Sequence, residues 1–236
     1  MRLFQLKSGY RYTSDTIFLW NFICENWLNS RATNSLKILD VGAGCGILGL
    51  MLKRDFPNLD LSLLEIQEQN LEILRKNCEQ NSLRAQILHE NFANFKSEQR
   101  FDLIVSNPPF YREKILTSQN SHIALSKSAT SLSLSDFVRV SNTHLKPKGA
   151  LIFCYEAGKI AQICEILQSY KLNLTKLAFI YPNENKPAKL ALFLAQKSSR
   201  SLCEICAPIY TFLNGEKSKI TAKIYEKADL ESVDIE

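Results

Sequence analysis

Hydrophobic and polar positions repeat with two alternating periods along most of the chain. Strand-length apolar runs fall at Leu36–Val41, Leu59–Ile66, Ala85–Leu88, Phe101–Val105 and Ala150–Tyr155. Segments with helical spacing separate them: about Ile47 to Arg54, Gln67–Gln80 with apolar side chains at Leu71, Leu74 and Cys78, Ser135–Leu145, and Gly158–Tyr170. Pro57 and Asn58 stop the first of these helices, and Pro147 and Gly149 close the third. Thr175–Tyr181 and Lys189–Ala195 pair as a terminal antiparallel hairpin, and Ile17–Leu28, interrupted by Asn21 and Glu25, predicts an amphipathic helix. Strands joined by crossover-length helices specify an α/β chain: a doubly wound, mostly parallel seven-stranded sheet with helices on both faces. Arg112–Ser135 is polar and rich in Ser and Thr, and reads as a loop with a short helix above the sheet. In such a sheet ligands bind beyond the carboxyl ends of the strands, where the strand order reverses.

With 236 residues, 45% of them hydrophobic and 22% charged, the chain suits one α/β domain and excludes wholesale disorder. No apolar run approaches the roughly 18 residues that a membrane helix needs, and Ile17–Leu28 lacks the small-residue cleavage site of a signal peptide. Seven cysteines, an odd number scattered singly, point to reduced thiols in a cytoplasm. Only Cys203 and Cys206 have metal-type spacing; no second Cys/His pair follows them, so no metal site is expected.

Charge is unevenly spread. From Lys186 to Lys227 there are eight basic residues against three acidic ones, a surplus that matches the +5 of the whole chain. Arg2, Lys7 and Arg11 add a basic N-terminus, whereas Asp229, Glu231, Asp234 and Glu236 make the last residues acidic. Two basic ends suit a polyanionic partner, and a solvated basic face is the alternative.

The chemistry collects after the strands. Gly42, Gly44 and Gly46 follow the first strand and deliver the backbone to a helix N-terminus, where free N–H groups favour an anionic group. Gly44-x-Gly46-x-x-Gly49, with Glu65 21 residues after Gly44, also fits a dinucleotide fingerprint, so a nicotinamide enzyme is a competing reading. No His or Lys is placed to handle a hydride. Asp40-x-Gly42-x-Gly44-x-Gly46 resembles the nucleotide-binding motif of class I S-adenosylmethionine-dependent methyltransferases. That resemblance implies S-adenosylmethionine as cofactor. Gly42–Gly46 would pass its methionine part, Asp40 would orient its amino end, and Glu65 would accept both ribose hydroxyls with its two coplanar oxygens. Asn91, followed by Phe92, stands where the family places an Asp against the adenine amino group.

After the fourth strand, Ser106-Asn107-Pro108-Pro109-Phe110 resembles the Asn-Pro-Pro-aromatic signature of methyltransferases acting on planar exocyclic or amide nitrogens. The lone pair of such a nitrogen is delocalised. The Asn107 side-chain oxygen and the Pro108 carbonyl can each accept one amino hydrogen and favour a pyramidal, nucleophilic nitrogen. The two prolines fix the turn, and Phe110 offers a face on which a base can stack.

The opening run Phe4-Gln5-x-Lys7-x-Gly9-Tyr10-Arg11-Tyr12-Thr13-x-Asp15-Thr16 is similar to the start of the bacterial tRNA(Val) adenine-37 N6-methyltransferase family. The stretch from Lys189 to Tyr225 resembles that family as well. The resemblance implies N6-methylation of an adenine in RNA, with tRNA favoured. It also implies a helix capping the cofactor, with Asp15 and Thr16 in its first turn satisfying free N–H groups. Residues 1–236 would form one domain: a cofactor-capping segment over 1–35, a Rossmann-like core over 36–198 and a basic extension over 199–236. Lys186, Lys189, Lys197 and Arg200 are the expected RNA-binding residues; no membrane and no obligate protein partner is implied. The chain departs from the family where Ala124-Leu125-Ser126-Lys127 stands in place of an Ala-Arg-His-Glu stretch. A guanine N2-methyltransferase of ribosomal RNA and a catalytically idle RNA-binding protein are the alternatives.

Overall fold

A computed structural model describes residues 1–7, 13–31, 35–108 and 132–235. Strand β1 (Arg2–Leu6) and helix α1 (Ser14–Ile23), which continues as a π-helical turn over Cys24–Leu28, precede the first expected strand. The alternation then runs β2 (Lys37–Val41), α2 (Ile47–Asp55), β3 (Asp60–Glu65), α3 (Glu68–Gln80), β4 (Gln86–His89), β5 (Phe101–Ser106). It continues through α4 (Leu134–His144), β6 (Leu145–Glu156), α5 (Ile160–Ser169), β7 (Leu172–Tyr181) and β8 (Leu190–Lys197).

The seven long strands lie in the order β7-β8-β6-β5-β2-β3-β4, all parallel except β8, which is antiparallel to both of its neighbours. The sheet is therefore doubly wound as expected, and the terminal hairpin closes by inserting its second strand between β6 and β7. The order reverses at β2, which pairs with β3 on one side and β5 on the other. Alternate side chains of the strands feed two apolar layers. One layer is aromatic: Phe153 stacks on Phe193 at 5.1 Å and meets Phe137 edge-on at 5.6 Å. The other takes up α1 and α2.

Two expectations need correction. The Ile17–Leu28 helix is not amphipathic: Ile17, Phe18, Leu19, Trp20, Phe22, Ile23, Trp27 and Leu28 are all buried. Its second side is covered because the C-terminal extension folds over it. That extension forms short strands β9 (Glu204–Ile205), β10 (Ile209–Tyr210), β11 (Phe212–Leu213) and β12 (Glu216–Lys217), helix α6 (Lys219–Ala228) and strand β13 (Glu231–Ile235). Phe18 packs edge-on against Tyr225 of α6, and Lys227 reaches Glu25 at 2.8 Å. The helix expected over Ser135–Leu145 begins one residue earlier because Ser133, rather than Ser135, caps it by accepting from the Asp136 N–H.

The two ends of the chain meet. β1 pairs in parallel with β13, and the pair is clipped to α3 by asparagines one helical turn apart. Asn81 bonds the N–H and carbonyl of Arg2, and the fully buried Asn77 bonds those of Phe4, so α3 presents side-chain amides where another strand would present peptides. The Asn77 amide also donates to the Cys45 carbonyl, which links the terminal strand to the glycine loop.

Candidate active site

The glycine loop leaves β2 at the point where the sheet order reverses. Gly42, Gly44 and Gly46 all have positive φ (69°, 57° and 85°), a conformation that only glycine adopts without strain in three alternate positions. A Cβ at Gly42 or Gly44 would meet no protein atom within 4 Å, so the loop presents bare backbone to open space. Gly46 is the N-cap of α2, and the free N–H groups of that helix follow directly. This cradle fits a ligand that needs close backbone approach.

Two carboxylates underlie the loop. Asp40, 2% exposed, accepts from the Gly49 N–H at 2.9 Å. A Cβ at Gly49 would sit 2.4 Å from Leu63 and 3.0 Å from the Asp40 oxygen, so glycine is required there for space. Burial pushes the Asp40 carboxyl up to about 7, with the Glu65 charge adding to the rise and the Gly49 hydrogen bond opposing it. The folded protein thus holds this proton more tightly than the unfolded chain. The stability it contributes is complete below the ordinary carboxylate range and is lost as pH rises through about 7. Asp40→Asn keeps an acceptor for Gly49 without a titrating proton. It is expected to flatten this fall in melting temperature between about pH 4 and 7. Parallel curves for the two proteins would contradict the assignment.

Glu65 ends β3 and is 4% exposed. Its Oε2 accepts from the Gly44 N–H at 2.8 Å, and its Oε1 accepts from the N–H groups of Ile66 and Gln67 at 2.9 and 2.8 Å. The carboxylate therefore fixes the glycine loop against the end of β3, a second task beside the one that the sequence implies. About one of its four lone-pair sites remains for a ligand in this arrangement.

Beyond β4, the Asn91 side chain accepts from the Ala93 N–H at 2.9 Å and caps a short 3-10 turn. Phe92 is buried in the aromatic layer, stacked on Phe95 at 5.9 Å. These two residues sit at the ligand edge in different roles: Asn91 is exposed, whereas the Phe92 ring belongs to the core.

At the end of β5, the Ser106 hydroxyl donates to the Val41 carbonyl at 2.8 Å and locks the two strand ends together beneath Asn107. The Asn107 Nδ2 donates to the Thr16 hydroxyl at 2.7 Å, and the Cys154 thiol donates to Asn107 Oδ1 at 2.9 Å. Burial keeps that thiol protonated by raising it well above its ordinary range, with the Asp15 charge adding to the effect. With one end held by an acceptor and the other by a donor, the amide has a defined orientation. Oδ1 keeps a second lone pair and Nδ2 a second hydrogen. Pro108 is half-buried beside it; Pro109 and Phe110 lie outside the described residues, as does Ala124–Lys127.

Thr16 is thus engaged with Asn107 rather than with the helix end. Thr13 is the cap, accepting from the Asp15 N–H. Burial lifts the Asp15 carboxyl above its ordinary range, against its hydrogen bond to the Thr13 hydroxyl and the charge of Lys189. Neither Cys154 nor the Thr16–Asn107 pair was signalled by spacing, since each joins residues far apart in the chain.

The four expected RNA-binding cations do not lie together. β8 begins at the ligand edge, where Leu190 pairs with Glu156 and Ile180, and ends opposite Leu172. Eight residues of strand put Lys197 about 23 Å from that edge. Its ammonium bonds the carbonyls of Asn142 and Leu145, and Arg200 follows in the loop that Asn173 bonds through Ser201. Lys186 and Lys189 remain at the ligand edge and are exposed. Among the described residues no group of three or more His, Cys, Asp or Glu is arranged to hold a metal ion, and no helix is long and apolar enough to cross a membrane.

The methyltransferase small domain family matches residues 22–170. A tRNA1(Val) (adenine(37)-N6)-methyltransferase of Vibrio campbellii is 27% identical over 195 residues, covering 82% of this chain and 78% of that protein. The protein of the same name from Glaesserella parasuis is 33% identical over 132 residues, covering 54% of this chain and 55% of its relative. Among solved structures, the T. thermophilus 16S rRNA N2 G1207 methyltransferase in complex with AdoMet and guanosine shares the fold, with a TM-score of 0.58. The match covers 81% of this chain and 45% of that chain at 23% identity.

Proposed function

This chain belongs to the methyltransferase small domain family, and on that premise we propose that it methylates the N6 amino group of an adenine in RNA, with tRNA the favoured substrate. S-adenosylmethionine is the cofactor and supplies an electrophilic methyl group on a sulfonium sulfur. The observation that carries the proposal is the position of Asn107: its oriented amide stands at the switch point, beside the open glycine cradle of the same sheet edge.

The residues divide the work. Gly42, Gly44 and Gly46 leave room for the cofactor's methionine part. Asp40, beneath the loop, holds it through Gly49, and Glu65 both ties Gly44 down and offers its remaining acceptor capacity to the ribose. The remaining Oδ1 lone pair of Asn107 and the Pro108 carbonyl accept the two amino hydrogens of the base. Drawing on both hydrogens localises the nitrogen lone pair and stabilises the positive charge that builds on nitrogen. No strong base is needed, because the amine becomes more acidic as the methyl arrives. We assign helix α1 to the cofactor side, with Thr16 joining it to Asn107. We place the reaction in the cytoplasm, where seven free thiols remain reduced.

Vibrio campbellii and Glaesserella parasuis proteins named for adenine-37 support adenine and tRNA over most or half of the chain. The guanine N2 alternative has a likeness of fold at 23% identity and a ribosomal RNA small subunit methyltransferase C of Actinobacillus pleuropneumoniae that is 41% identical over 76 residues, 32% of this chain. Incubating the protein with labelled S-adenosylmethionine and unmodified total RNA should leave label in the tRNA fraction. A protein that binds RNA, yet labels none and shows no heat of donor binding, would be the idle RNA-binding protein instead.

A further inference from the structure

The C-terminal extension carries an exposed ribbon that the core does not need. β11 and β12 pair antiparallel around Asn214-Gly215, whose positive φ values of 52° and 81° suit a tight two-residue turn. The ribbon stands at the ligand edge. Thr211 and Phe212 donate from their N–H groups to the carbonyls of Tyr181 and Pro182, just past the end of β7, and the Asn214 N–H reaches Glu184 in the loop that bears Lys186 and Lys189.

Phe212 is directly opposite Lys217, so the two side chains share one face of the ribbon. On that face the Lys217 ammonium lies 4.5 Å from the Tyr225 ring centre, and Tyr225 packs edge-on against Phe18 of α1 at 6.3 Å. Phe212 is nevertheless 44% exposed, Leu213 40% and Ile220 54%, in a protein whose other large apolar side chains are mostly buried. Lys219 and Lys223 are exposed one turn apart on α6, beside the ribbon.

We propose that this ribbon and the first turns of α6 are the docking surface for the RNA around the methylated base. Lys217, Lys219 and Lys223, with Lys186 and Lys189, take the phosphates, and Phe212 stacks an unpaired base. An exposed aromatic among exposed lysines is the chemistry that single-stranded nucleic acid needs, namely a π face for bases and cations for the backbone. The inference rests on RNA being the substrate, and it moves the contact away from Lys197 and Arg200.

The test is binding of unmodified tRNA to the full chain across a salt series. Replacing Lys217, Lys219 and Lys223 together by Gln should lower affinity on the order of 100-fold near 0.1 M salt and make the log–log salt slope shallower by about 2–3. Phe212→Ala should lower affinity about tenfold or more, with the salt slope unchanged. Donor affinity by calorimetry and the melting temperature should stay at the wild-type values in both variants. Wild-type affinity and slope in the triple variant would overturn the proposal, as would finding that the loss comes instead from Lys197→Gln with Arg200→Gln. Failure of the underlying reading looks different: the wild-type protein would then bind tRNA through these lysines but transfer no methyl group to it.

Discussion

Asn107→Ala is expected to lower turnover roughly 10²- to 10³-fold while the Kd for S-adenosylmethionine stays within about twofold. The size follows from removing one preorganised polar group aimed at developing charge, worth about 3–4 kcal/mol. The group qualifies as preorganised because its amide is oriented before any substrate arrives, by the Thr16 hydroxyl on Nδ2 and the Cys154 thiol on Oδ1. Truncation leaves the Ser106–Val41 clasp and the glycine loop untouched, so the cofactor side should be unchanged. Single-turnover rates at saturating donor give the measurement. A variant that retained wild-type turnover would remove the role assigned to Asn107.

Glu65→Gln should weaken donor binding by about 10- to 100-fold and also lower stability by roughly 2 kcal/mol. Two effects on one side chain follow from its hydrogen bonds. As a carboxylate it accepts from Gly44 on one oxygen and from Ile66 and Gln67 on the other. An amide has only one oxygen, so its NH2 must face at least one of these N–H donors, leaving a nearly buried donor without an acceptor. The remaining acceptor site, which we assign to a ribose hydroxyl, loses its charge as well. Titration calorimetry and denaturant unfolding read the two effects separately. Weaker binding with unchanged stability would mean that the loop does not depend on Glu65.

Much of the site was legible because its chemistry is local in the chain. Asp40, the three glycines, Glu65 and Asn107 each follow a strand that hydrophobic period alone locates, and the doubly wound order carries all those strand ends to one edge. What escaped is what one part of the chain does to another. Thr16 and Asn107 are 91 residues apart, and nothing periodic connects them. Asn77 lies in the last turn of a helix, and nothing in the helical spacing shows that it is buried because it stands in for a strand against Phe4. The Ile17–Leu28 helix looked one-sided because nothing in its own spacing reveals that α6 will cover its second side. That the basic residues do not form one cluster has the same kind of cause: Lys189 and Lys197 are close in sequence, but an eight-residue strand places them at opposite ends of β8.

The central claim is that the Asn107 and Pro108 oxygens hold the exocyclic amine of an adenine. Nucleoside mass spectrometry of the RNA labelled by the wild-type protein tests it most directly. N6-methyladenosine that disappears with Asn107→Ala is the predicted product, whereas N2-methylguanosine as the sole product would contradict the assignment.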